Sequence, residues 1–103
     1  MELIETRVFT KQVQATLSPE EYREFQLHLI LQPDAGDLIP GAGGLRKVRW
    51  RAAGRGKRGG VRVIYYWKSV AGQLFLLFLY PKNVRTDLTA AELRTLRALI
   101  RDD

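Results

Sequence analysis

The residues best equipped for chemistry in this chain are cations and phenols. Lys47, Arg49 and Arg51 alternate along the run Leu45–Ala52, so a strand there puts all three on one face. Val48 and Trp50 take the other face, together with Arg46. Arg62 lies one residue into the next apolar run, Val61–Lys68, where a planar guanidinium can fork onto a phosphate. Tyr80 and Lys82 follow at the end of a third run, Gln73–Tyr80, at the rim of any sheet these runs build. Tyr65, Tyr66 and Trp67 stand beside the cations, and flat rings suit stacked nucleobases. A half-buried sheet ordinarily uses such rings as core.

Charge arithmetic sharpens the pattern. The net charge is +6, but residues 1–40 carry −4, residues 41–85 carry +11 and residues 86–103 carry −1. No Asp or Glu occurs between 41 and 85. Cations on neighbouring same-face positions repel one another, and a solvated face is the simpler reading. A polyanionic partner explains an acid-free basic segment more directly. The loop Gly54-Arg55-Gly56-Lys57-Arg58-Gly59-Gly60 adds three cations on a flexible backbone, either a bare hairpin tip or a phosphate-gripping loop. It also spells GxGxxG, but a β-branched strand follows where a dinucleotide site needs a helix. The kinase form fails too, for want of its HRD and DFG partners.

Other functions are excluded by what is missing. The chain has no Cys and one His, His28, so sites needing two imidazoles or a thiolate are out, and no metal or cofactor is expected. His28 reads as a surface or boundary residue of a helix. The longest apolar run, Leu74–Tyr80, is far too short to span a membrane, and the start lacks the pattern of a secretory signal, so a cytoplasmic protein is expected.

The elements that must position these residues follow from periodicity and caps. One hundred and three residues predict one domain over 1–103. Leu3–Phe9 reads as a strand, with a short helical stretch at Lys11–Leu17. Ser18-Pro19-Glu20-Glu21 opens a helix that stops near Gln32, ahead of Pro33. Residues 33–44 read as a loop. Three eight-residue strands joined by short Gly-bearing turns predict an antiparallel meander, with the third strand central because both its faces are apolar. Thr89-Ala90-Ala91-Glu92 opens a last helix to about Arg101. Arg94, Arg97 and Arg101 form a stripe on it, read as a solvated face balanced by Glu92, Asp102 and Asp103. The class is α+β: an antiparallel sheet with N-terminal helices and a C-terminal helix.

Taken together, GAGGLRKVRW, GRGKRGGVRVIYYW, LLFLYPKN and DLTAAEL resemble the HigB branch of the RelE-type toxins of bacterial toxin–antitoxin systems, from about Asp37 to Leu99. The resemblance implies a RelE-like, microbial-ribonuclease-like sheet. It implies a toxin that cleaves mRNA in the ribosomal A site without metal, leaving a 2′,3′-cyclic phosphate. It also implies contact with ribosomal RNA and a neutralising antitoxin, a HigA-like helix-turn-helix protein through which alone operator DNA is reached. By this resemblance Lys47, Arg49, Arg62, Tyr80 and Lys82 are the catalytic candidates, while the basic strand, the basic loop and the neighbouring ring make Arg46, Arg51, Arg55, Lys57, Arg58 and Tyr66 the RNA-binding ones.

The chemistry constrains the roles independently. Attack by an internal 2′-OH needs a base, compensation of charge on the phosphorane, and an acid for the leaving 5′ oxygen. A carboxylate base from residues 41–85 is excluded. A Lys among cations is expected to have its pKa lowered, so Lys47 or Lys82 can be base or acid, with Tyr80 as orienter or base. Arg62 with Arg49 would hold the phosphorane. Two other readings use the same fold: a ParE-like poison of gyrase, and an RNA-binding module without catalysis.

Overall fold

Caps decide where the helices begin. The computed structural model describes residues 1–51 and 60–101, in the order β1 (Glu2–Glu5), α1 (Arg7–Thr16), α2 (Pro19–Leu31), β2 (Asp37–Leu38), β3 (Arg46–Trp50), β4 (Val61–Lys68), β5 (Gln73–Pro81) and α3 (Ala90–Ile100). Ser18 accepts from the Glu21 N–H at 3.1 Å, and the Glu21 carboxylate accepts from the Ser18 N–H at 2.9 Å. Pro19 fills the first turn, where a missing N–H costs nothing. Thr89 and Glu92 repeat the reciprocal pair at the start of α3.

The N-terminal reading needs correction. The strand ends at Glu5 rather than Phe9, and α1 starts at Arg7 rather than near Lys11. Thr6 is the reason: its hydroxyl accepts from the Phe9 N–H at 3.0 Å, capping a helix whose buried Phe9 and Val13 lie one turn apart. The segment read as a plain loop holds β2, paired with β3 through Asp37↔Lys47 and Leu38↔Arg46. Two residues are too few to show a period.

Among the described residues the sheet has five strands in the order β1-β5-β4-β3-β2. It is antiparallel except at β1, which runs parallel to β5. Helices cover both faces. Phe9, Val13 and Leu17 with Phe25 and Leu29 of α2 pack on Val48, Val63, Tyr65, Leu74, Leu76 and Leu79. On the other face Leu93, Leu96 and Ile100 of α3 pack on Leu45, Ile64, Leu77 and Tyr80. This is why β5 reads as apolar on both sides. No described helix is long and apolar enough to cross a membrane.

A bulge in β5 redirects the alternation. Ile64 pairs with Phe78 but Tyr65 pairs with Leu76, so Leu77 is an extra residue. Phe75 and Leu77 face α3, and so do Phe78 and Tyr80, while Leu74, Leu76 and Leu79 face α1 and α2. Strict alternation from Phe75 would have sent Tyr80 to the opposite side.

Tyr65 ties the chain after α2 to the sheet. Its hydroxyl donates to the Pro33 carbonyl at 2.7 Å and accepts from the Gly36 N–H at 2.8 Å. Tyr65→Phe leaves that buried N–H without its partner and is expected to cost about 1–3 kcal/mol in a denaturant titration.

Candidate functional site

The sheet register assembles a row. Arg49 lies opposite Arg62, and Arg62 lies opposite Tyr80. Cross-strand neighbours are about 5 Å apart, so the row spans about 10 Å over three strands. Lys47 pairs with Ile64, two residues along β3 from Arg49, and therefore shares its face. Lys47 and Arg62 therefore share one face of the sheet. Lys82 follows β5 directly, and its N–H donates to the Gly60 carbonyl at 3.0 Å, which holds it at the same end of the sheet as Arg62.

Burial grades the row. Arg49 is exposed, whereas Arg62 is 9% and Tyr80 3% exposed. A guanidinium partly withdrawn from water acts more strongly on an approaching phosphate than one in bulk solvent. The Arg62 Nη1 donates to the Val61 carbonyl at 3.4 Å, which orients the group along its own strand.

The connection from β5 to α3 folds over this row. The Tyr80 hydroxyl donates to the Thr86 carbonyl at 3.3 Å. The Asp87 carboxylate sits 3.5 Å from Lys47 Nζ, so the basic face receives an acid from just outside the acid-free segment. Arg85 places its guanidinium 5.3 Å from the ring centroids of both Tyr80 and Phe78. Both its ends are held by Glu92, at 2.8 and 2.9 Å. Arg85 was missed by sequence reasoning. Its signal is its position as the last cation of the basic segment, just ahead of a capping box whose Glu carries a second acceptor.

The phenol of Tyr80 is pushed above the ordinary tyrosine value of 10.0, first by burial and then by Asp87, with Arg62 and Arg85 pulling the other way. Tyr65 is raised chiefly by burial, and Tyr22 by burial and by its hydrogen bond to Glu5. All three native phenols therefore hold their protons more tightly than unfolded ones. Their contribution to stability is complete below pH 10 and is lost as the pH rises beyond about 10, where unfolded tyrosines ionise first. Denaturation midpoints are expected to fall steeply in that window. Phenolate absorbance from these three residues is expected to appear with unfolding rather than before it. Full phenolate absorbance from a still-folded chain would contradict this.

Arg46 and Tyr66 are placed apart from the row. Arg46 faces the side covered by α2, and its guanidinium donates to the Gly36 carbonyl at 2.7 Å and the Asp34 carbonyl at 3.4 Å. Tyr66 is half-buried beneath α3 beside Phe75, with ring centroids 6.4 Å apart. Tyr65 and Trp67 pack in the core under α1 and α2. Arg51 is exposed just past β3. Arg55, Lys57 and Arg58 lie outside the described residues. His28 packs beside Trp50, with ring centroids 5.4 Å apart, on the face opposite the row.

Fold and site together define an α+β domain with a cationic, phenol-bearing row on one sheet face and helices α1 and α2 on the other. The family described as the RelE toxin of the RelE / RelB toxin-antitoxin system matches residues 34–102, and the chain belongs to that family. A double arginine-to-alanine mutant of the E. coli toxin RelE in the free state superposes with a TM-score of 0.63 at 12% identity, covering 98% of this chain and 97% of that one. The isolated E. coli RelE toxin gives 0.57 at 12% identity, covering 96% and 98%. The toxin in the intact E. coli RelBE toxin–antitoxin complex gives 0.56 at 16% identity, covering 76% and 92%. At these identities the likeness is one of fold.

Proposed function

We propose that this RelE-family chain is an mRNA-cleaving toxin of the HigB branch, acting in the cytoplasm on mRNA in the ribosomal A site. The observation that carries the reading is the register that sets Arg49, Arg62 and Tyr80 in one row with Lys47 beside it. In the reaction the 2′-OH gives its proton to a base, Lys47 or Lys82, and its oxygen bonds to the adjacent phosphorus. Arg62 and Arg49 balance the charge on the phosphorane, which is the largest contribution expected. The P–O5′ bond breaks, and the 5′ oxygen takes a proton from the other of the two lysines, leaving a 2′,3′-cyclic phosphate and a 5′-OH. No carboxylate and no redox partner enters this sequence. Tyr80, held protonated by its burial and donating its one proton to the Thr86 carbonyl, serves as an orienter rather than base. Orientation of the RNA by the ribosome supplies much of the remaining rate.

Its partner is an antitoxin, since the family description and the complexes solved for E. coli RelE both pair toxin with antitoxin. A HigA-like helix-turn-helix protein fits the proposed branch, with operator DNA reached only through it.

The test is expression of the chain with and without the product of its neighbouring gene, followed by mapping of mRNA 5′ ends. Cuts within translated codons, suppressed by co-expression, are expected. Growth arrest with intact transcripts overturns the nuclease reading, and if gyrase is then found inhibited the ParE-like reading replaces it.

A further inference from the structure

A second concentration of cations lies away from the row. A cleft of about 320 Å³ opens between α3 and the loop preceding β3, lined by Gly43, Arg94, Arg97, Ala98, Ile100 and Arg101. Arg94 and Arg97 lie one turn apart on one side of α3 and Arg101 caps its end, so the three extend about 10 Å along the helix axis. All three are exposed. Among the described residues the acid closest to them in sequence, Glu92, is already committed: its two oxygens bind Arg85, and one also accepts from the Thr89 N–H at 2.9 Å. The expectation that Glu92 balances the stripe is therefore corrected. Asp102 and Asp103 lie outside the described residues.

Helix stability does not explain the stripe. The helix dipole favours a cation in the last turn, which accounts for Arg97 but not for Arg94 one turn earlier. Like charges at these spacings destabilise a helix. The opposite wall is a glycine: Gly43 has φ +70, and a Cβ there would lie 3.5 Å from Arg97 Nε. Absence of a side chain leaves the guanidinium open to the cleft.

We infer that this cleft is a second RNA-backbone site, holding phosphates apart from the cleavage row. Guanidinium forks match phosphate oxygens. RNA fits better than an acidic protein segment because Ile100 and the loop residue Ala42 belong to the same buried cluster as Tyr80, so cleft and row lie on one face of the sheet. One polyanion can reach both. The identity of that polyanion as RNA rests on the proposed nuclease reading.

The test uses the full chain and the variant R94Q/R97Q/R101Q, whose glutamines keep helix propensity. The probe is a labelled 2′-O-methyl oligouridylate, which cannot be cut, titrated by fluorescence anisotropy over a salt series. Each phosphate contact on a single strand contributes about −0.7 to the slope of log K against log salt, so the variant is expected to lose about 2 from that slope. The single variant R94Q is expected to lose about 0.7 and serves if the triple variant does not fold. An unchanged slope in a folded variant overturns the inference, as does weaker antitoxin binding with RNA binding intact. The two readings fail separately. A chain that cuts no mRNA but loses slope in the variant defeats the nuclease reading alone. A chain that cuts while the slope stays unchanged defeats the cleft alone.

Discussion

Arg62→Ala is expected to lower mRNA cleavage by about 10²–10³-fold, the usual cost of removing one group that stabilises charge developing in a transition state. Arg62 is central in the row, with Arg49 on one side and Tyr80 on the other, and it is only 9% exposed. A cation there is already desolvated and positioned, so its attraction for the phosphorane needs no reorganisation. Arg62→Lys keeps the charge but not the planar fork and is expected to recover only part of the rate. Single-turnover cleavage on programmed ribosomes measures the effect. Thermal unfolding of the same preparations separates lost chemistry from lost fold. A folded Arg62→Ala chain that cleaves at the parental rate would remove Arg62 from the mechanism. Modestly weaker RNA binding with no cleavage in either protein would instead support a non-catalytic module.

Gly60→Ala carries the largest expected stability effect. Gly60 has φ +73, and a Cβ there would stand 2.3 Å from the Trp50 carbonyl oxygen and 3.1 Å from Arg51 Cα. The left-handed backbone alone costs an alanine about 1–2 kcal/mol. The clash adds more, because neither strand is free to retreat. Trp50 is paired with Val61, and the Gly60 carbonyl holds the Lys82 N–H. A total of about 3 kcal/mol or more is expected, which lowers the melting temperature of a domain this size by on the order of 10–20 °C. Gly72→Ala is the control. Gly72 has φ +64 with nothing within 4 Å, so only the left-handed cost of about 1–2 kcal/mol applies. Equal losses from the two substitutions would show that the contact with Trp50 is not tight. The row should also suffer in Gly60→Ala, since Arg62 and Lys82 both hang from this corner.

Much of this was legible before any coordinates. The two capping boxes placed the starts of α2 and α3 to the residue, and β4 emerged with the bounds read from its β-branched and aromatic run. Alternation correctly separated Lys47 and Arg49 from Arg46. What stayed hidden is long-range. The parallel pairing of β1 joins Glu2 to Gln73, and no local period encodes a partner that distant. The bulge at Leu77 is silent because apolar residues lie on both sides of it, yet it is what turns Tyr80 toward Arg62. The acids that meet the basic face, Asp87 and Glu92, belong to a loop and a helix cap whose reach depends on tertiary packing.

The parallel edge has a temporal consequence. A chain leaves the ribosome from its N-terminus, so β1 and the apolar side of α1 are made first and have no strand to pack on until β5 exists, some 71 positions later. The meander that carries the row closes over much shorter loops, but it too is incomplete until Tyr80 is made. A chain with the proposed activity therefore has no cutting surface until β5 has been made.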